Sequence, residues 1–305
     1  MTTVRIATLT ANPAVDLAAQ AVSVQPGHKV RTFGERYDPG GGGINVARVV
    51  TALGGNALAL FVSGGVTGRF VEEMLTAEEV PWRAIRIHGA CRISVTVHDQ
   101  TSDLEYRFVP RGPELSASDC GNILEVVRAV DADWLVASGS LPPGVPADFY
   151  GKVADIAAAR GAKFALDTSG AALKGSLQRG IHLLKPSLTE LEAIVGRKVR
   201  DLPSQIEQAK RLVEAGAAQM IALTLGADGA ILAMADRVVH RPAINVSQRT
   251  GVGAGDSFLA GLILGLAGQK PPEDALRLAL ACGAAAVGAI GTAHVRREKV
   301  EALLT

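Results

Sequence analysis

Two glycine clusters, far apart in the sequence, carry the residue types best suited to chemistry. One reads Gly40-Gly41-Gly42-Gly43-Ile44-Asn45, the other Gly251-Val252-Gly253-Ala254-Gly255-Asp256. Each opens into an apolar helical stretch, so each presents unobstructed backbone N–H groups at a helix N-terminus, where negative charge is favoured. The second also brings the carboxylate of Asp256 into that field. An acid beside an anion cradle suits phosphoryl transfer to a hydroxyl: the acid accepts a proton and the donors stabilise the migrating phosphate. A plainer reading stands beside it, in which Asp256 complements the helix dipole at an ordinary glycine turn.

Other residues acquire meaning only in company. Leu184-Lys185-Pro186-Ser187-Leu188-Thr189-Glu190 follows a strand-like run and opens a helix. Ser187 and Glu190 fit a capping box that would occur for stability alone. The chemical alternative places Glu190 near Mg2+ through water, since that ion keeps several waters and takes few carboxylates. Asn45, in the first turn of an apolar helix, needs a partner for its amide, and sugar hydroxyls would supply one. Asp16, after Asn12-Pro13-Ala14-Val15, reads by itself as a turn aspartate. Lys29, Arg31, Arg92 and Arg107 lie on strand-like segments, where charges ordinarily face solvent. A phosphorylated substrate would need two or three of them turned inward.

Several templates fail. Gly170 to Ser176 has the spacing of a phosphate-binding P-loop but lacks lysine after its second glycine. No strand leads into G-x-G-x-x-G, and no G-x-S-x-G elbow surrounds Ser138 or Ser140. The histidines at 28, 88, 98, 182, 240 and 294 have no metal-ligand spacing. Ser138-Gly139-Ser140-Leu141-Pro142-Pro143-Gly144 instead reads as a loop lining the crevice at the strand C-terminal ends, where open α/β sheets bind ligands.

The positioning elements follow from periodicity. Strand-like runs at 4–10, 57–63, 133–138, 163–167, 181–184, 219–224 and 229–234 alternate with helical runs marked by Phe70, Val71, Met74 and Leu75, by Ile123, Leu124, Val127 and Val130, and by Phe258 to Leu266. Continuous apolar strands between helices predict a mainly parallel sheet covered on both faces. Residues 91–109 break the pattern. Ile93 to His98 and Asp103 to Phe108 alternate apolar and polar around a turn at 99–102, which predicts a hairpin with one buried face. The segment from about 14 to 37 lacks a helical period and would supply its partner strands, giving a small β lid. An apolar lid face left uncovered would pair with a second copy of the chain.

Composition narrows the class. The chain has 305 residues, 48% hydrophobic, with 31 Lys plus Arg against 30 Asp plus Glu. This near-neutral balance gives nucleic acid or an anionic membrane no general electrostatic support, while small anions need only local charge. Cys91, Cys120 and Cys282 are scattered, which fits a reduced cytoplasmic compartment and no thiolate metal site. Val4 to Leu9 is too short and punctuated for a signal peptide, and the apolar run 276–290 reads as a buried helix rather than a membrane span.

Together these segments resemble the PfkB (ribokinase-like) sugar kinases, and among them the minor, PfkB-type 6-phosphofructokinases. The carriers are Asn12 to Asp16, Asp38 to Arg48, Tyr106 to Val109, Ser138 to Gly144, Lys185-Pro186 and Val252 to Ser257. The resemblance runs nearly end to end. It implies one kinase domain over 1–305, a three-layer α/β/α ribokinase-like fold with a discontinuous lid from about 12–38 and 90–110, dimerisation through that lid, ATP and Mg2+. It implies Asp256 as base for the 1-hydroxyl of fructose 6-phosphate, with Gly253, Ala254 and Gly255 as anion hole. Asp16, Gly41, Gly42 and Asn45 would hold the sugar, with Lys29, Arg92, Arg107 and Ser140 near its phosphate. Lys185, Ser187, Glu190, Thr224, Gly226 and Gly229 would sit by the nucleotide and metal. A potassium site at backbone carbonyls near Thr250, Val252, Ala289 and Gly291 is implied as well.

Two departures stand out: Ser187 replaces the asparagine of the usual Lys-Pro-Asn-x-x-Glu, and Gly251 replaces the usual threonine. Related 1-phosphofructokinases and tagatose-6-phosphate kinases tend to carry lysine where this chain has Gly42, which favours fructose 6-phosphate. Those two activities remain as alternatives, as does a non-catalytic sugar-phosphate-binding protein that kept the fold.

Overall fold

The computed structural model describes residues 4–246, 251–288 and 291–305. In chain order its strands are β1 (Arg5–Thr10), β2 (Ala14–Ala21), β3 (Thr32–Gly40), β4 (Asn56–Ser63), β5 (Trp82–Arg86), β6 (Arg92–Asp99), β7 (Leu104–Phe108), β8 (Trp134–Ser138), β9 (Lys163–Asp167), β10 (Leu183–Leu184), β11 (Met220–Thr224), β12 (Ala230–Met234) and β13 (Val238–Arg241). The helices are α1 (Gly42–Ala52), α2 (Gly65–Ala77), α3 (Ala117–Ala129), α4 (Phe149–Ala159), α5 (Gly170–Ser176), α6 (Leu188–Val195), α7 (Leu202–Glu214), α8 (Ala254–Ala267), α9 (Pro272–Val287) and α10 (Arg297–Leu304).

Among the described residues, nine strands form one sheet in the order β13-β12-β11-β10-β9-β8-β1-β4-β5. Pairing is parallel from β5 through β11, and antiparallel for β12 and β13. Two apolar layers explain the unbroken hydrophobic strands. Ile6 of β1 packs into the layer built with α1, α2, α8, α9 and α10. Its neighbours Ala7 and Leu9 pack into the opposite layer with α3, α4, α5 and α7. Each fully buried Leu or Phe contributes about 1.5–3 kcal/mol, so this double burial makes the sheet a stiff platform. Chain order reverses beside β1, which has β4 on one side and β8 on the other, and this opens a crevice at the strand C-terminal ends.

The predicted lid is present as a second sheet in the order β3-β2-β6-β7. Its register lays Asp38, Asp16 and Ser94 side by side, and next to them Arg36, Ala18, Thr96 and Arg107. This polar face lines a pocket beneath the lid. The intervening row, Tyr37, Leu17, Val95 and Phe108, takes the other face.

Three expectations need correction. Asp16 is not a turn aspartate: Asn12-Pro13 makes the turn, and Asp16 lies inside β2 with partners on both sides. The run at 181–184 yields a strand of only two residues, because Pro186, with no N–H to offer the ladder, follows at once. The edge elements β5 and β13 escaped sequence reading, since WRAIR and VVHR are short and charged as edge strands commonly are.

Candidate active site

Asp256 stands in the first turn of α8, whose N-terminal amides receive no side-chain cap and so stay open to an anion. Gly253 enters the helix at φ +78°, and a Cβ there would come within 2.7 Å of the Ala293 nitrogen. Only glycine suits that turn. Asp256 Oδ2 accepts a hydrogen bond from Asn45 Nδ2 at 2.8 Å, and Oδ1 lies 3.3 Å from the Ser138 hydroxyl. The same hydroxyl is 3.3 Å from Asp167 Oδ2, and Asp167 Oδ1 pairs with Lys185 Nζ at 3.1 Å.

These contacts set the electrostatics. Asp256 is half-buried. Loss of solvent pushes its pKa up, repulsion from Asp167 adds to that, and Asn45, Lys185 and Ser138 pull it back. Lys185 is buried, which disfavours its charge, yet Asp167, Asp256 and Glu190 outweigh burial and raise its pKa. It therefore stays cationic between the acids. Gly42 makes the arrangement possible: a Cβ at that position would lie 2.1 Å from Ser138 Oγ, so a side chain there displaces the serine.

On the lid side the pocket has a volume of about 180 Å³ and is lined by Asp16, Arg36, Ser94 and Arg107 among others. Burial raises the Asp16 pKa to about 6; the Thr292 hydroxyl and Arg92 oppose the rise, while Asp38 and Asp256 add to it. Arg92 donates to the Asn12 and Pro110 carbonyls, and its buried Nε has no hydrogen-bond partner among the described residues. Burial lowers the Arg92 pKa, and Asp16 works against that. Ser140 accepts from Asn12 Nδ2 at 3.3 Å in the loop after β8. Gly41 caps α1 at the crevice. Lys29 does not join this pocket: it is exposed on the connection between β2 and β3. The register of the lid strands, not the charge at 29, decides which cations turn inward.

The start of α8 also borders a larger pocket, of about 390 Å³. Thr224, Gly226, Gly229, Ala254 and Gly255 line it, with an apolar wall of Ile244, Val246, Phe258, Ala284 and Val287. Lys185 Nζ approaches the Gly255 backbone, 3.5 Å from where a Cβ would sit. Ser187 and Glu190 make both bonds of a capping box, Glu190 N to Ser187 Oγ at 3.3 Å and Ser187 N to Glu190 Oε2 at 2.8 Å. A β-bridge joins Ser187 to Thr224. Val252 and Gly291 face the pocket beneath the lid, whereas Thr250 and Ala289 lie outside the described residues.

A half-buried acid at an open helix N-terminus, with Val252 on one pocket and Ala254 and Gly255 on another, suits phosphoryl transfer to an alcohol. The family model described as "pfkB family carbohydrate kinase" matches residues 9–299. The chain belongs to the pfkB family of carbohydrate kinases. It is 42% identical over 299 residues to ATP-dependent 6-phosphofructokinase isozyme 2 of Mycobacterium tuberculosis, covering 97% of this chain and 88% of that one. The crystal structure of Escherichia coli phosphofructokinase-2 in complex with fructose-6-phosphate matches at a TM-score of 0.93 and 33% identity, over 99% and 98% of the two chains. The same E. coli protein in complex with potassium matches at 0.94 and 34%, with the same coverage.

Of the residues beside Asp256, Asp167 carries no motif in the sequence, and Ser138 is marked there only as part of the crevice loop. Asp167 and Ser138 end apolar strands, which is where side chains of an open α/β sheet reach the crevice, and that position was the available signal. Ser138, rather than Ser140, is the serine of that loop within 3.3 Å of Asp256.

The raised Asp16 carboxyl gives this kinase a pH signature. A carboxyl whose folded pKa lies above its unfolded value stabilises the fold at low pH, and that contribution is lost as pH rises through about 6. Asp16→Asn should therefore be more stable than wild type at pH 8, by on the order of 1–2 kcal/mol after allowing for partial exposure. The difference should shrink through pH 6 and vanish below about pH 4, the unfolded range. Thermal melting across pH checks this; a variant less stable than wild type at pH 8 contradicts it.

Proposed function

We propose that this kinase transfers the γ-phosphoryl group of ATP to the 1-hydroxyl of fructose 6-phosphate, giving fructose 1,6-bisphosphate and ADP. The observation that carries the reading is the half-buried Asp256 carboxylate at the uncapped start of α8, in a turn whose Val252 lines the lid pocket and whose Ala254 and Gly255 line the larger one. Asp256 accepts the proton of the 1-hydroxyl as the sugar oxygen forms its bond to the γ-phosphorus and the bond to ADP breaks. The amides of the Gly253 to Gly255 turn receive the charge on the migrating phosphoryl group. Lys185 holds a positive charge beside Gly255 throughout.

The sugar lies beneath the lid against Asp16, Gly41, Gly42 and Asn45, with Arg92, Arg107 and Ser140 toward its phosphate. The unpartnered Arg92 Nε supports an anion there. Adenine takes the apolar wall of the larger pocket, with Thr224, Gly226 and Gly229 around the rest of the nucleotide. Asp167 and Glu190 offer hard oxygen donors, the set that suits Mg2+. Glu190 Oε2 is already held by the Ser187 N–H, so Glu190 would meet the ion through its other oxygen or through water. The ion, when bound, neutralises phosphate charge. Potassium, present in the E. coli relative, would take backbone carbonyls of the segments holding Val252 and Gly291.

Gly42 supports fructose 6-phosphate over fructose 1-phosphate or tagatose 6-phosphate. The lysine expected of kinases for those sugars meets Ser138 Oγ at 2.1 Å already at its Cβ. We read the chain as one domain with a discontinuous lid, and the three buried free cysteines suit the reducing cytoplasm. The lid's outer face carries exposed Tyr37, Ile93 and Phe108, and a second copy of the chain would cover it.

ADP release measured with the three sugar phosphates should be fastest with fructose 6-phosphate. Asp256→Asn should lower kcat by about 10²–10⁴-fold in a protein that still folds and melts cooperatively. Wild-type turnover in that variant refutes the assignment, and sugar and ATP binding without ADP release in the wild type would favour a non-catalytic protein. Light scattering at micromolar concentration should give twice the 31.6 kDa chain mass, and Phe108→Asp should give the single mass. A wild-type monomer contradicts the lid dimer.

A further inference from the structure

Arg48 on α1 is 5% exposed, yet its guanidinium is bonded at every nitrogen. Nε and Nη2 donate to Glu78 at 2.6 and 2.8 Å, a two-point pairing. Nη1 donates to the Thr292 carbonyl at 2.8 Å and to Asn45 Oδ1 at 3.4 Å. Asp38 backs the group: its Oδ1 lies 3.9 Å from Arg48 Nη2 and 2.9 Å from His294 Nε2, and its Oδ2 accepts from the Thr292 amide at 3.0 Å. Asp38, Glu78 and His294 stand close enough together for a metal ion, but the guanidinium already supplies the positive charge at that place.

The contacts on Nη1 reach the reacting atoms at one remove. Asn45 lies one helical turn before Arg48 and its amide joins the two: Oδ1 takes the arginine, Nδ2 the Asp256 carboxylate. Turned over, the amide would set its oxygen against the carboxylate and its NH2 against the guanidinium, like facing like at both ends. On the other side, Thr292 is followed by Ala293, which is packed on Gly253 at the start of the phosphoryl cradle. We propose that Arg48 is a positioning residue: it holds the Asn45 amide with Nδ2 toward Asp256 and holds the Thr292-Ala293 backbone against the Gly253 turn. This rests on Asp256 being the proton acceptor. Lysine cannot replace it, because a single amine has no fork with which to reach Glu78, Thr292 and Asn45 together.

The test is a double-mutant cycle in kcat, with melting temperatures recorded for each protein. Arg48→Met and Asn45→Ala should each lower kcat by about tenfold or more, the scale of misplacing a catalytic group by a fraction of an ångström. The double variant should lose clearly less than the product of the two single reductions, since without Asn45 the arginine acts only through the Thr292-Ala293 backbone. Arg48→Lys should not rescue the rate, and it replaces Arg48→Met in the cycle if the latter does not fold. Glu78→Gln weakens the same buried pair but leaves Nη1 its contacts, so it should lower the melting temperature and keep kcat within about twofold. Reductions that multiply in the double variant, or a Glu78→Gln loss of kcat equal to that of Arg48→Met, overturn the proposal. Wild-type protein that releases no ADP with any sugar phosphate is a failure of the kinase reading instead. An Arg48→Met crystal structure separates the two: Asn45 still donating to Asp256, with Ala293 still on Gly253, overturns the positioning role whatever the substrate.

Discussion

Two carboxylates at the mouth of one crevice are the constraint around which the rest is arranged. Asp167 and Asp256 repel each other in a partly dry site, and the repulsion is offset because Lys185 is ion-paired with Asp167 and attracts Asp256, while the Ser138 hydroxyl, 3.3 Å from each acid, donates to one of them. Removing one partner of such a buried pair costs about 3–5 kcal/mol, since it strands the other charge. The acids cannot be moved apart either. Asp167 ends β9, Lys185 follows β10 and Asp256 opens α8, all fixed by the two apolar layers of the main sheet. The fold thus holds Asp256 as a desolvated, hydrogen-bonded carboxylate beside a fixed cation. That is the state a proton acceptor for a sugar alcohol needs.

The lid solves a different problem with the same chain. Alternation along most of its strands puts a polar row toward the pocket beneath the lid and an apolar row, with exposed Tyr37, Ile93 and Phe108, on the other face. The Asp38 and Thr292 contacts tie β3 to the segment behind Gly253, so the lid and the start of α8 share an anchor.

Much of this was legible in the sequence, for reasons that differ by element. Alternation at 93–98 and 103–108 marks a hairpin, whose expected buried face is instead exposed at Ile93, Leu104 and Phe108 in this chain, and unbroken apolar runs mark a covered parallel sheet. Asp256 was legible because glycine, helix and acid lie within a few residues. Ser138, Asp167 and Arg48 were not, because each acts on something distant in the chain: Ser138 on Asp256, Asp167 on Lys185, Arg48 on Thr292. Asp16 reads locally as a turn residue because Asn12-Pro13 is a strong turn signal, while the pairing of β2 with β6 that puts it in a strand is made across the lid. Ser187 and Glu190 were read correctly as a capping box, and the structure forms both of its bonds. That leaves their part in nucleotide or metal binding a separate matter of chemistry.

A crystal structure of the protein with fructose 6-phosphate and a non-hydrolysable ATP analogue tests the central claim most directly. The account predicts the sugar 1-oxygen within about 3 Å of an Asp256 carboxylate oxygen and about 3–3.5 Å from the γ-phosphorus, with adenine against Ile244 and Val287. A sugar held elsewhere, or a 1-oxygen facing some other side chain while Asp256 stays bonded only to Asn45 and Ser138, contradicts it.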